Sequence, residues 1–224
     1  MLMMITMRAD TKDRELLFIR HCESYGNLDF AENAPVYHPD DPPLTPLGLR
    51  QARALSSRFE KGDLDRVYCS SLIRTVQTVY PTAEKLGMSF DLLPQLMEYG
   101  TGIDMTDRDR LREHYPLAVI RFPEGGGYGG ESEAEARKRA ESAVDLILSE
   151  TKPGERVAVV THGSIMGFFI RYLLGITQPE PFRWIFDNCG VTDIILKAEG
   201  SGEKPRLACA NDRAHLFGIS ERET

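Results

Sequence analysis

Apolar positions along the chain fall into two kinds of segment that alternate: short continuous runs, and longer stretches with apolar residues three and four apart. Residues 15–20 (ELLFIR) are an apolar run closed by polar residues, long enough for a buried strand and too short for a helix. Thr45-Pro46 then opens a helical pattern, with Thr45 as N-cap, Pro46 at the first helical position, Leu47, Ala52, Leu55 and Phe59 as its apolar positions, and Gly62 as its stop. Arg66–Cys69 (RVYC) predicts a second strand, after which Ser70 and Ser71 are expected to cap a helix that runs toward Gly87 and kinks at Pro81. Residues 131–151 carry the clearest helical stripe (Ala136, Ala140, Ala143, Val144, Ile147), closed by Lys152-Pro153-Gly154. Arg156–Thr161 (RVAVVT) reads as a central strand covered on both faces, and 164–174 as a buried helix stopped by Gly175. Val191–Leu196 and 206–211 supply late strands, as a hairpin around Gly200-Ser201-Gly202. No internal repeat stands out. This alternation predicts an α/β fold: a mostly parallel central sheet with helices on both faces, in three α/β/α layers.

A chain of 224 residues suits one such domain. Its expected limits are 15–217, with an N-terminal extension 1–14 that is partly disordered, insertions or lids at about 28–43 and 99–130, and a tail 218–224. Hydrophobic residues at 42% and charged residues at 27% describe an ordinary soluble protein, and no apolar stretch reaches membrane-spanning length. The Met-rich start runs at once into Arg8, Asp10, Lys12, Asp13 and Arg14, so no secretory apolar segment is visible and a cytoplasmic location is expected. The net charge of −7 disfavours nucleic acid and anionic membrane as partners, and leaves an anionic substrate to be drawn by a local positive patch. Cys22, Cys69, Cys189 and Cys209 lie far apart without a C-x-x-C pair, which argues for reduced thiols. Neither a metal nor a cofactor is expected, and monomer and homodimer both remain open.

Open parallel sheets bind ligands beyond the carboxyl ends of their strands, so those ends carry the candidate chemistry. Two strands end alike, at Arg20-His21 and Thr161-His162, each followed by a small residue. The second strand leads through Ser70-Ser71 to Arg74 in the first turn of a helix, where free N–H groups favour an anion. Two guanidinium groups and two imidazoles around one spot suit a tetrahedral phosphate, because guanidinium forks match its oxygens and neutral imidazole can attack phosphorus.

The residues also resemble a known family. R-H-C-E-S-Y-G-N at 20–27 is similar to the R-H-G-x-S-x-x-N signature of the histidine phosphatase, or phosphoglycerate mutase-like, superfamily. L-T-P-L-G-L-R-Q-A at 44–52, S-S-L-x-R-T-x-Q-T at 70–78, L-M-E at 96–98, G-E-S at 130–132, V-x-x-V-T-H-G at 157–163 and N-D-R-A-H-L at 211–216 follow in the family's order. The resemblance implies a phosphoglycerate mutase-like fold and a small phosphorylated substrate hydrolysed without metal through a phosphohistidine. His21 then resembles the nucleophile; Arg20, Arg74, His162 and Gly163 resemble the phosphate pocket, and Asn27 a further phosphate ligand. Glu98 resembles the proton donor, with Asp104, Asp107 and Asp109 as acidic alternatives nearby. A neutral His21 and a protonated Glu98 imply a bell-shaped, mildly acidic-to-neutral pH window.

Other readings stand beside these. Cys22 occupies the family's usual glycine position, so either the loop is altered or that position needs no positive φ. His21-Cys22 also invites comparison with the H-C-x-x-x-x-x-R loop of cysteine-dependent phosphatases, but Leu28 stands where the arginine is required. A mutase needs a second anion site. The acidic, Pro-rich segment after Asn27 is unlike the mutases' segment, while Arg108, Arg110, Arg112 and Arg121 could serve such a site, though the first three read better as a solvated face. A catalytically silent phosphate-binding homologue is the third alternative, opposed by the complete set Arg20, His21, Arg74, Glu98 and His162. The glycine run at 125–130 has no preceding strand and so is no nucleotide fingerprint. His38 and His114 are expected on loops or solvated faces, His215 in packing, and Thr45 as a helix cap alone.

Overall fold

Strand β1 (Arg14–Arg20) is buried along nearly its whole length. Leu17 and Ile19 enter one apolar cluster and Leu16 and Phe18 another, as the two-residue period of a strand requires. A strand covered on both faces belongs in the middle of a sheet. In the computed structural model, which describes residues 13–28, 41–101, 108–121, 128–177 and 184–219, β1 indeed has a neighbour on each side. The remaining strands are β2 (Arg66–Cys69), β3 (Phe90–Leu92), β4 (Ala118–Ile120), β5 (Arg156–Thr161), β6 (Val191–Leu196) and β7 (Arg206–Asp212). The sheet runs β4-β3-β2-β5-β1-β6-β7. β1 to β5 are mutually parallel; β6 is antiparallel to β1 and forms the late hairpin with β7.

Helices α1 (Pro46–Ser56) and α2 (Ile73–Leu86) place Ala52, Leu55, Val76, Val79 and Ala83 on the Leu17/Ile19 side, where α3 (Arg108–His114) adds Leu111. Helices α4 (Glu133–Glu150) and α5 (Gly163–Leu174) place Ala140, Ala143, Val144, Ile165 and Phe169 on the Leu16/Phe18 side. Each fully buried Leu or Phe contributes about 1.5–3 kcal/mol, so neither layer can be dropped without exposing the sheet. The expected three-layer α/β/α architecture is the one observed.

Details differ from expectation for physical reasons. α1 stops at Ser56, and Phe59 is buried from the turn beyond it. Ser70 and Ser71 do not cap α2, whose N-cap position is Leu72; Ser70 serves a histidine instead. Pro81 lies inside α2, which continues to a left-handed Gly87 at φ 65°. α4 begins at Glu133, because Ser132 and Glu135 close a reciprocal capping box before it. The strands β3 and β4 were not expected, and β4 places a strand shortly before the glycine run after all. The expectations placed on residues 1–12, His38, Asp104, Asp107, the side chains of Arg108 and Arg110, glycines 125–127 and the tail from 220 lie outside the described residues. No helix among those described is long and apolar enough to cross a membrane.

Candidate active site

Three neighbouring strands end level with one another: Arg20 stands opposite Thr161, and Cys69 opposite Val160. The next residue of each is tied to the same edge. His21 N donates to Thr161 O at 2.9 Å, and Ser70 N to Val160 O at 2.9 Å. His21, Ser70 and His162 therefore emerge side by side, and the two imidazole centroids lie 5.2 Å apart.

The histidines are fixed in different ways. His21 Nδ1 is 2.7 Å from the carbonyl of Cys22. A carbonyl only accepts, so Nδ1 carries the proton and Nε2 keeps its lone pair. His162 Nε2 meets Ser70 Oγ at 2.9 Å, while its buried Nδ1 has no hydrogen-bond partner among the described residues. Both rings are deeply buried, at 4% and 0% exposure. Burial is the main reason that each holds its pKa well below 6.5, with the nearby Arg74 charge as the second. His21 is therefore a neutral imidazole near pH 7.

Arg20 and Arg74 supply the positive charge. Arg20 leaves the end of β1, donates through Nη1 to the Phe186 carbonyl, and has a buried Nε with no hydrogen-bond partner among the described residues. Arg74 occupies the first turn of α2, and its buried Nη1 makes no hydrogen bond among the described residues, with Asp41 Oδ1 3.6 Å away. Asp41 was not singled out in the sequence. Its carboxylate accepts the Ile73 N–H at 2.9 and 3.0 Å, so it caps α2 and faces Arg74 together. Burial draws both arginine pKa values down, and the Glu98 charge raises both, which places that carboxylate within electrostatic reach of the two guanidinium groups.

Glu98 follows the short 3-10 turn Pro94–Leu96. Its carboxylate accepts the Tyr99 N–H at 2.9 Å and the Ser164 N–H at 3.3 Å, the latter in the first turn of α5. Gly163 opens that helix, so its first-turn N–H has no intrahelical acceptor. A side chain added there would meet Arg20 Nε at 3.7 Å, an ordinary contact, so space alone does not demand glycine. Asn27 is exposed, and its Oδ1 accepts from Ser24 N, Ser24 Oγ and Asn188 Nδ2 at 3.0, 3.1 and 3.0 Å. Asn188 also donates to the His21 carbonyl at 3.1 Å. Ser70, Asp41 and Asn188 are the neighbours that sequence reasoning missed; Ser70 had been assigned to capping, and the other two belong to segments that carry no periodic pattern.

Other expected residues fall elsewhere. Arg121 is bound by Glu150 and by Asp91, the latter at 3.3 Å, and Arg112 by Asp109 at 3.1 Å. His114 is exposed, as expected of a solvated face. His215 is half-buried, between Arg58 Nη1 at 3.2 Å and Cys189 Sγ at 3.3 Å. Thr45 caps α1 through Gly48 N at 3.0 Å. Cys22 does not have a positive φ, which resolves the question raised by its position. Its thiol is fully buried in the Leu17/Ile19 cluster and its N–H donates to Thr78 Oγ1, while Leu28 is 41% exposed. Among the described residues no group of three or more His, Cys, Asp or Glu side chains is arranged to hold a metal ion.

Comparison with known proteins agrees with this architecture. A probable phosphoglycerate mutase of Yersinia enterocolitica is 29% identical over 213 residues, spanning 90% of this chain and 94% of that protein. Among solved structures, a phosphoserine phosphatase of Entamoeba histolytica in complex with 3-phosphoglyceric acid superimposes with a TM-score of 0.61 at 23% identity, covering 91% of this chain and 99% of that one. A mycobacterial glucosyl-3-phosphoglycerate phosphatase gives 0.60 at 20%, covering 90% and 100%. These structural likenesses show the shared fold. The family model described as histidine phosphatase superfamily, branch 1, matches residues 16–212, so nearly all the described sheet lies within it and the chain belongs to that superfamily.

Proposed function

We propose that the chain is a phosphomonoester hydrolase that works through a phosphohistidine on His21. The observation that carries this is the tautomer: with Nδ1 donating to the Cys22 carbonyl, His21 holds an unprotonated Nε2 beside His162, within the field of Arg20 and Arg74. Nε2 forms a bond to phosphorus as the ester P–O bond breaks, and the departing oxygen takes a proton from Glu98. Water then attacks the phosphohistidine, the carboxylate of Glu98 takes its proton, the P–N bond breaks, and neutral His21 returns. Arg20 and Arg74 stabilise the equatorial oxygens by position and charge and the neutral His162 by position, so the reaction calls for no metal or cofactor. The substrate is a small phosphate monoester; nucleic acid and membrane are not expected partners at a net charge of −7.

Phosphoglycerate mutase-type transfer is the second possibility, favoured by the names of the curated relatives. Hydrolysis is favoured by the acidic, Pro-rich segment after Asn27 and by the engagement of Arg121 with Glu150 and Asp91, which commits one candidate cation of a second anion site. The deciding experiment is hydrolysis of 4-nitrophenyl phosphate in excess EDTA by wild type and His21→Ala, with phosphoglycerate interconversion run in parallel. Metal-independent release of phosphate that vanishes in His21→Ala is expected. Interconversion without appreciable hydrolysis would establish the mutase, and an active His21→Ala protein would refute the mechanism.

A further inference from the structure

The turn that presents Glu98 is held by three carbonyls in succession. Thr161 Oγ1 donates to Leu96 O at 2.7 Å, which ties the middle of the turn to the residue before His162. The carbonyls on either side, of Gln95 and Met97, both accept from one atom, Arg139 Nη1, at 2.7 and 2.9 Å. Arg139 projects from α4 and is 9% exposed. Its Nε donates to Glu131 Oε2 at 3.0 Å and its Nη2 to Glu131 Oε1. The Tyr128 ring covers the guanidinium with its centroid 4.1 Å from Cζ and packs with Leu72 and Met97. The Arg139 and Glu131 side chains are 6% and 8% exposed, so this is a desolvated pair.

Burying a guanidinium is costly unless its donors are all used. An ion pair that only fastened residues 128–131 onto α4 would need the Glu131 side of the fork. Here the third nitrogen bridges two main-chain carbonyls, the second belonging to the residue directly before Glu98. A planar fork with fixed spacing sets these partners relative to one another, which a flexible ammonium cannot do.

We propose that Arg139 is a positioning residue: it fixes the turn from which Glu98 delivers its proton to the leaving oxygen, with Glu131 and Tyr128 holding its guanidinium. This rests on the assignment of Glu98 as proton donor. A general acid must lie within hydrogen-bond reach of the departing oxygen, and a misplacement of about 1 Å can cost on the order of 100-fold in rate.

The leaving group provides the test. The nitrophenolate of 4-nitrophenyl phosphate departs without a proton, whereas the alkoxide of glycerol phosphate needs one. The quantity to compare is kcat/KM, which covers steps only through cleavage of the ester P–O bond. Wild type, Glu98→Gln, Arg139→Lys and the double variant Arg139→Gln/Glu131→Gln are assayed on both substrates. The lysine keeps a charge beside Glu131 but cannot span the two carbonyls; the double variant leaves no unpaired buried charge, and circular dichroism establishes that each variant folds. Glu98→Gln is expected to lose on the order of 100-fold more on glycerol phosphate than on the aryl ester. Both Arg139 variants are expected to show the same selectivity at about tenfold, and KM for the aryl ester is expected to stay near wild type. Equal losses on the two substrates in either folded Arg139 variant, beside a selective loss in Glu98→Gln, would overturn the positioning role alone. No selectivity in Glu98→Gln would instead remove the donor assignment, and the positioning role with it.

Discussion

The main-chain carbonyl of Cys22 accepts the Nδ1 proton of His21 at 2.7 Å. One backbone atom thereby selects the tautomer of its neighbour and leaves the lone pair on the opposite ring nitrogen, while burial and the guanidinium groups keep that nitrogen unprotonated. In the proposed mechanism, the guanidinium groups that receive the phosphate also keep the nucleophile neutral.

This arrangement predicts the acid limb of the pH profile. A histidine held well below 6.5 is neutral at pH 6.5, so lowering the pH to that point removes no nucleophile. In a kcat/KM profile, the acid-side half-maximum is expected clearly below 6.5. Arg74→Gln removes the second cause of the shift, so besides weakening phosphate binding it is expected to move the limb upward. A wild-type half-maximum at or above 6.5 would contradict the assignment of His21 as a buried neutral nucleophile.

A second expectation concerns Asp41, which faces Arg74 at 3.6 Å and caps α2. Asp41→Asn keeps an oxygen for the Ile73 N–H but removes a negative charge from the place where an anion is to bind. Inorganic phosphate should then inhibit about fivefold more tightly, corresponding to about 1 kcal/mol. Weaker inhibition by phosphate would show that Asp41 assists the anion by orienting Arg74.

How much of this the sequence foretells depends on the length of the pattern. β1 and β5 are continuous apolar runs and α4 a long stripe, so periodicity finds all three. β3 and β4 have three residues each, too few for a period to register, and pair because β2 is already in place. The two histidines and Arg20 are legible because each adjoins a strand end, and Arg74 because it lies in the first turn of the helix that follows β2. Ser70, Asp41, Asn188 and Arg139 are not, since their partners lie far away in sequence and arise only from the crossing of elements; Arg139 reads as one more charge on the face of a helix.

The buried Cys22 yields a prediction that separates thiolate from imidazole chemistry. Its side chain has no exposure and packs with Leu17 and Ile19, so Cys22→Ala leaves a small cavity, for which about 1–2 kcal/mol of lost stability is expected in urea titrations. Because the tautomer is set by a main-chain carbonyl that alanine retains, kcat/KM on 4-nitrophenyl phosphate should remain within about threefold of wild type, well under the 100-fold or more expected from loss of a catalytic group. Abolished turnover in a folded Cys22→Ala protein would revive the thiolate mechanism.

Stability should fall as pH drops below neutrality, and the sign follows from which state holds the protons. His21 and His162 are held well below 6.5 in the folded protein, and His215, buried beside Arg58, is lowered to about 4. Below about pH 6.5 the unfolded chain takes up protons that these three refuse when folded, so each draws stability down by at most about 1.4 kcal/mol per pH unit. Asp193 acts in the opposite sense. Burial and the adjacent Glu15 raise its carboxyl to about 7, so between the ordinary carboxyl range and pH 7 the folded state keeps a proton that the unfolded chain has lost. Three refusals outweigh one retention, and the net effect is a decline. Urea midpoints measured from pH 7 to 5 should therefore fall in wild type, fall less steeply in His215→Gln, and fall more steeply in Asp193→Asn. A midpoint that rose on acidification would mean that the imidazoles are protonated in the folded protein, and would remove the basis for a neutral His21.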